Sequence, residues 1–295
     1  MRLRHAVDRH LSDCQNNVAI TIVDRVTTEQ GVRSSLEQIV RAIPLKRASK
    51  AIPFVYVCAI AHRLATPSQP AALIATQLVE RLLQPLPLPE EAPLSGIVVQ
   101  ATATGWLQFE LSDRAIAAWL DRLLANALPQ QLSVSLTSQE RQMLLPTAAV
   151  FEVQYAHARC CSLLRLAHSE GLITLDRLDV APLVWRIVDP PSISWLTANA
   201  QLCLNHPADR SLLGHLIEAL DCLSDESPHR TRQSLRSAQA IAQAMQSFHR
   251  VHPLWRKTGT EPHLVVAQLG LLLATQRILS LLLANGLDLH PVEEL

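Results

Sequence analysis

At 295 residues and 48% apolar side chains, the chain is long enough to bury two cores of ordinary size and too apolar to be disordered. Its 26 basic and 26 acidic residues cancel, which excludes a uniformly cationic surface and leaves any polyanion to be met by local patches.

Two acid-free windows supply such patches. One, between Glu37 and Glu80, encloses Arg41, Lys46, Arg47, Lys50 and Arg63. The other, between Glu226 and Glu261, encloses Arg230, Arg232, Arg236, Arg250, Arg256 and Lys257. Only Lys46, Lys50 and Lys257 are lysines, and arginine is the better partner for phosphate forks and base stacking. The charged opening residues, Met1 to His10, lack the apolar core of a signal peptide. Six cysteines without a CxxC pair do not form a disulfide framework. The expected location is therefore cytoplasmic, with reduced thiols and no membrane contact. The most lipid-like stretch, Leu264 to Ala284, is interrupted by Gln268, Gln276 and Arg277 and reads as a buried helix.

In chain order, Asn17 to Asp24 is an apolar, β-branched run of strand type. Ser34 or Ser35 caps a helix to about Ile43, where Pro44 ends it. A second helix is predicted from Pro53 through Val57, Ile60 and Ala61 to Leu64, closed by the breaker Thr66 to Pro70. A third covers Ala71 to Leu83, before a stiff proline-rich connection from Gln84 to Pro93. Ile97 to Ala103 and Trp106 to Leu111 read as a hairpin around Thr104-Gly105. Ser112-Asp113 then caps a helix from Arg114 to Ala127. Beyond a weakly patterned stretch, helices are expected over Ala149 to His168, Ser192 to Leu204, Arg210 to Leu223, Gln233 to Val251 and His263 to Asn285. Gly171 and Gly286 stand at expected helix C-caps. The predicted architecture is an α+β N-terminal domain over residues 1–128, a linker over 129–147, and an all-α helical bundle over 148–295, mainly α overall.

Tyr155 and Arg159, spaced i,i+4 on one helix, place an aromatic surface and a planar cation on a common face, a pairing suited to unstacked RNA bases. On the helix from Gln233 to Val251, Arg232, Arg236, Gln239, Gln243 and Arg250 form a polar stripe opposite Leu235, Ile241, Met245 and Phe248. A cationic stripe of this kind follows a phosphate backbone or is simply the solvated face of an amphipathic helix. Trp106 and Gln108, two residues apart on a strand, share one side of it. Cys203 with His206 and His249 with His252 supply four zinc-type ligands in two close pairs, yet neither pair has the knuckle that stabilises such a site. No metal, no cofactor and no catalytic residue is assigned: GxSxG, phosphate-loop and HExxH motifs are absent.

The segment Gln154-Tyr-Ala-His-Ala-Arg159, with Cys161, Ser162 and Arg165, resembles a helix of the C-terminal, DALR-type anticodon-binding domain of arginyl-tRNA synthetases. The likeness continues through Ala240 to Pro253 and closes with the helix from Ala267 and the tail to Leu295. That family ends in arginine and methionine where this chain has Glu294 and Leu295. Thr104-Gly-Trp-Leu-Gln-Phe109 is similar to a strand motif of the same synthetases' N-terminal additional domain. There the aromatic stacks on a D-loop base and the amide hydrogen-bonds to it, roles that fall to Trp106 and Gln108; Ala103 stands where some members carry asparagine. The resemblance thus implies RNA contact by Tyr155, Arg159, Arg165, Trp106 and Gln108, joined by Arg232, Arg236 and Arg250 of the stripe.

Where a synthetase carries its catalytic domain, this chain has the weakly patterned linker. It contains no His-x-Gly-His signature, and its three lysines exclude a Lys-Met-Ser-Lys loop. The resemblance therefore implies a non-catalytic protein that binds tRNA or a tRNA-like structured RNA. The alternatives are a protein-interaction module that has lost RNA binding, or a partner acting in trans with a synthetase.

Overall fold

The structure, a computed structural model, describes residues 45–48, 54–83, 96–125, 137–176, 185–223, 229–252 and 261–294. The expected strand at Asn17 to Asp24, the helix ending near Ile43 and the proline-rich connection lie outside the described residues. The chain divides into two compact units, Met1–Ile116 and Ala117–Leu295.

In the first unit, β1 (Leu45–Arg47), β2 (Phe54–Cys58), β3 (Ile97–Ala101) and β4 (Leu107–Leu111) form an antiparallel sheet in the order β1-β2-β4-β3. Between β2 and β3 come α1 (Ile60–Leu64) and α2 (Ala71–Leu83). The helix predicted from Pro53 is a correction: only its last turn is helical, and Phe54 to Cys58 is a strand. Phe54, Tyr56 and Cys58 are buried, with Val55 and Val57 less so between them. That period of two, built from aromatic and β-branched residues, prevails over the helical spacing of Val57, Ile60, Ala61 and Leu64. Phe54, Tyr56, Leu107, Phe109, Leu111 and Val99 supply the core face, joined by Ile74, Ala75, Leu78 and Leu82 of α2. The other face carries Lys46, Val57, Gln108 and Gln100 in one cross-strand row.

The division falls inside α3 (Asp113–Ala125), whose start is capped by Ser112: its Oγ accepts the Ala115 N–H at 3.2 Å. The C-terminal half of α3 is held in the second unit by two bonds. Asp121 accepts from Trp195 Nε1 at 2.6 Å, and the Leu123 carbonyl accepts from Arg277 at 2.7 Å. Within the expected linker over 129–147, residues 138–144 form α4 (Ser138–Leu144).

The second unit continues with α5 (Thr147–Ser169), the hairpin of β5 (Thr174–Asp176) and β6 (Arg186–Asp189), then α6 (Pro207–Leu223), α7 (Arg230–Val251) and α8 (Pro262–Leu281), which runs into a π-helical turn at Leu282–Gly286. The α6 helix packs on α7, and α5 packs on both α7 and α8. The fold is mainly α with an α+β start, as expected, and the short β5–β6 hairpin is an addition to the helical unit. The helix expected over Ser192 to Leu204 is a correction: the segment is an extended loop closed by a bridge between Leu196 and Leu202. Here Trp195 turns inward to Asp121, and the backbone pairs across the loop instead of along a helix, with Thr197 N–H donated to Gln201 O at 2.8 Å and Cys203 N–H to Trp195 O at 2.9 Å. Gly171 ends α5 as expected, at φ +71°, with its N–H donated to His168 O. Gly286 is instead a packing glycine: a Cβ there would lie 2.6 Å from Ser234.

From Ala267 to Leu281 every residue of α8 is buried. The helix and its π turn are long and apolar enough to cross a membrane, but 83% of the apolar window is buried inside the structure. Where apolar side chains surround it, each polar group must find a partner. Gln268 meets His252 at 3.1 Å, Thr275 donates to Leu271 O at 2.8 Å and Gln276 meets His157 at 3.0 Å. Arg277 donates to Leu123 O and, at 2.6 Å, to Trp185 O. Burial pulls the Arg277 pKa down to about 10, so the guanidinium is still charged at neutral pH.

Gly270 gives this helix an unusual sensitivity. Replacing glycine by alanine within a helix ordinarily stabilises by about 1 kcal/mol. Here a Cβ would meet Trp195 Cη2 at 2.6 Å and Ile193 Cδ1 at 2.7 Å. Gly270→Ala is predicted to destabilise by ~1–3 kcal/mol, read as a lower urea midpoint. A higher midpoint would show that the Trp195 packing is not as described.

Candidate nucleic-acid interface

Two surfaces carry the residues singled out in the sequence, one on each unit. On the first unit, Trp106 lies one residue before β4 and is 39% exposed. A tight turn presents it. Thr102 N–H donates to Trp106 O at 2.8 Å, Trp106 N–H donates to Thr102 Oγ1 at 2.9 Å, and Gly105 sits at φ +88° with its N–H on Thr102 O. Gly105 also lies against α2, where a Cβ would meet Ala71 at 2.6 Å, so the turn has no room for a side chain. Trp106 and Gln108 point away from the core face, in alternation with buried Leu107 and Phe109. The Trp106 ring is tilted against His62, with centroids 5.2 Å apart.

On the second unit, α5 has two contrasting faces. Val153, Ala156, Cys160, Cys161, Leu163 and Leu164 are buried. Burial pushes the Cys161 thiol up to about 12, so it is not a nucleophile. Outward, Phe151, Tyr155, Arg159, Ser162 and Leu166 form an exposed stripe. Phe151 is 60% and Tyr155 45% exposed, their rings nearly parallel at 23° with centroids 6.3 Å apart.

The α7 stripe borders this face. Gln239 and Gln243 both donate to Glu152, each at 3.2 Å, and Arg159 reaches His249 Nε2 at 3.3 Å. These contacts bracket Tyr155, so Tyr155 and Arg159 lie beside α7 between Gln239 and His249. Arg232, Arg236 and Arg250 are exposed along the same helix, while Leu235, Ile241, Met245 and Phe248 are buried. His249 is held below the usual histidine range by burial, with the Arg159 charge adding to it.

Arg165 is placed differently from the other arginines. It pairs with Glu293 through a short ion pair and with Glu294 at 3.4 Å, and its guanidinium lies over the Trp185 ring 5.1 Å from the centroid. The tail carrying those glutamates is pinned along α5. Gln154 Nε2 donates to His290 O at 2.8 Å, Val292 N–H donates to Gln154 Oε1 at 2.9 Å, and His157 Nδ1 donates to Val292 O at 2.8 Å. Sequence reading missed this clamp, because its partners lie 128 or more residues apart. The one available signal was the pair of tail acids.

The four-ligand set of Cys203, His206, His249 and His252 is not assembled. His249 turns to Arg159, and Cys203 donates to Ser194 O at 3.5 Å.

The arginine–tRNA ligase of Gloeobacter violaceus is 32% identical over 149 residues, which are 50% of this chain and 22% of that protein. The arginine–tRNA ligase of Synechococcus sp. is 29% identical over 153 residues, again 50% of this chain and 22% of the relative. The matched stretch is thus 22% of the length of these curated relatives, and the chain is a partial relative of arginine–tRNA ligases. No family model and no solved structure matches the chain.

His157 gives the α5 anchorage a pH dependence. Burial lowers its pKa below 6.5, and the bond from Nδ1 to Val292 O, which favours the charged ring, offsets only part of that effect. Between 6.5 and that depressed value the unfolded chain binds a proton the folded chain refuses, so stability falls as pH falls. Unfolding midpoints at about pH 7.5 and about pH 5.5 are predicted to differ, with a slope of up to ~1.4 kcal/mol per pH unit from this group. His157→Gln should flatten that slope. An unchanged slope in the variant would assign the effect elsewhere.

Proposed function

We propose that this chain is a non-catalytic RNA-binding protein related to arginine–tRNA ligases, and that it takes a tRNA or a similarly structured RNA on the exposed face of α5 and α7. The observation that carries the reading is the exposed pair Phe151 and Tyr155 beside Arg159, bordered by the polar stripe of α7. Unstacked bases are recognised by stacking on such rings and on guanidinium planes, and the phosphates between them by arginines. Arg232, Arg236 and Arg250 supply the phosphate contacts in this reading. Trp106 and Gln108 form a second contact, an aromatic and an amide on one outward face. The likeness to two arginine–tRNA ligases over half of the chain supports tRNA as the RNA class. Its restriction to 22% of their length supports a role without aminoacylation.

Arg165 lies outside the contact set as it stands. Glu293 and Glu294 occupy its guanidinium, so phosphate at that position would have to displace two carboxylates. This favours Tyr155 and Arg159 as the principal contacts, ahead of the resemblance that also selected Arg165.

Titration of the full chain with a labelled tRNA transcript at several salt concentrations tests the reading. Affinity is expected to fall as salt rises, because bound phosphates release counterions. Tyr155→Ala, at an exposed position, should cost ~1–3 kcal/mol of binding for a stacked base while leaving the fold intact. No RNA affinity at low salt, or affinity indifferent to salt, would overturn the reading. A protein-binding face built on exposed Phe151 and Leu166 would then be favoured.

A further inference from the structure

Where the N-terminus of α6 approaches the C-terminal end of α7, three metal-ligating side chains converge. His206 is the N-cap of α6, Asp209 is its third residue and His252 follows the last residue of α7. Their ligand atoms all lie within 4.8 Å of one another. His252 Nε2 and Asp209 Oδ1 are 2.7 Å apart, and the two imidazoles stand edge to face at 84° with centroids 5.2 Å apart.

In each ligand one atom is anchored by a neighbour and another faces into the cluster, where His252 Nε2 and Asp209 Oδ1 meet each other. His206 Nδ1 accepts the Ala208 N–H at 3.1 Å, which fixes the ring and leaves Nε2. Asp209 Oδ2 accepts the His206 N–H at 3.2 Å, which leaves Oδ1. His252 is held on its Nδ1 side by Gln268 at 3.1 Å, which leaves Nε2. These are the supporting contacts that orient metal ligands, and the α6 cap supplies two of them. The carboxylate is only 1% exposed, so it sits where a bare charge is costly, whereas His206 is exposed and opens the cluster to solvent.

We propose that His206, Asp209 and His252 bind one divalent transition-metal ion of the zinc class, which staples the start of α6 to the end of α7. Two imidazole nitrogens and one carboxylate oxygen form a donor set zinc accepts, with a water at the solvent-facing fourth position. The ion replaces the proton between His252 Nε2 and Asp209 Oδ1. That imidazole then carries its proton on Nδ1, where the Gln268 amide accepts it through Oε1 after turning over. Cys203 takes no part, because its thiol faces Ser194 O. This assignment is independent of the RNA reading: none of its three ligands belongs to the stripe on α5 and α7 proposed to meet RNA.

The test uses the full chain, stripped with a chelator and titrated with Zn2+ against a chromophoric competitor, with Co2+ as a spectroscopic substitute. Expected results are one Zn2+ per chain, a raised thermal midpoint, and visible Co2+ bands typical of low coordination number. His206→Asn is the decisive variant. Asparagine still caps α6 but offers no Nε2 ligand, so Zn2+ affinity should fall at least ~10-fold with circular dichroism unchanged. Cys203→Ser should bind as the wild type does. Failure of the wild-type chain to bind Zn2+, equal affinity in His206→Asn, or loss of binding in Cys203→Ser would each overturn the proposal. The three side chains would then be only a hydrogen-bonded helix cap.

Discussion

The second unit is organised by the burial of α8 from Ala267 to Leu281. A helix surrounded by protein from Ala267 to Leu281 satisfies its own backbone, but its polar side chains must be met by neighbours. Each of those neighbours belongs to a different part of the unit. Gln276 fixes the His157 imidazole of α5, Gln268 fixes the His252 imidazole at the end of α7, and Arg277 gathers the carbonyls of Leu123 and Trp185. Gly270 supplies the remaining constraint by letting Trp195 lie against the helix. Losing one such partner leaves a buried donor or acceptor unmet at a cost of about 1–3 kcal/mol, more where the group is charged. The polar contacts therefore specify which elements surround α8, while its leucines supply the burial.

The candidate interface follows from that arrangement. His157 is tied on one side to α8 and on the other to the tail at Val292, so α5 is held through its inner face. Its outer face is left to Phe151, Tyr155 and Arg159. Two bonds accepted by Glu152 from Gln239 and Gln243, and one between Arg159 and His249, set this face beside α7. The tail that anchors α5 also brings Glu293 and Glu294 onto Arg165. One helix thus presents an exposed cation-and-aromatic surface at Tyr155 and Arg159 and, nearer its C-terminal end, a cation at Arg165 that the tail neutralises. A net charge of zero is compatible with polyanion binding when charge is distributed in this way.

The sequence was most legible where periodicity was long and uninterrupted. The helices ending near His168, Leu223 and Val251 are present, and the Ile97 to Leu111 hairpin forms around Gly105. Short segments were harder. Phe54 to Cys58 satisfies both a strand and a helix pattern over a few residues, and only sheet pairing decides between them. Ser192 to Leu204 has helical spacing, but burial of Trp195 against Asp121 and Gly270 prevails over it. At the candidate site, the i,i+4 relation of Tyr155 and Arg159 was readable because it is local. The pairing of Arg165 with the tail and the meeting of His206 with His252 depend on the tertiary fold, to which local spacing is blind.

Hydrogen exchange of the full chain with and without a tRNA transcript tests the central claim, that RNA lies along the outer face of α5 and α7. Slower exchange is predicted to be concentrated in peptides spanning 151–166 and 232–250 when RNA is present. Binding without protection of those peptides would contradict the assignment of this face.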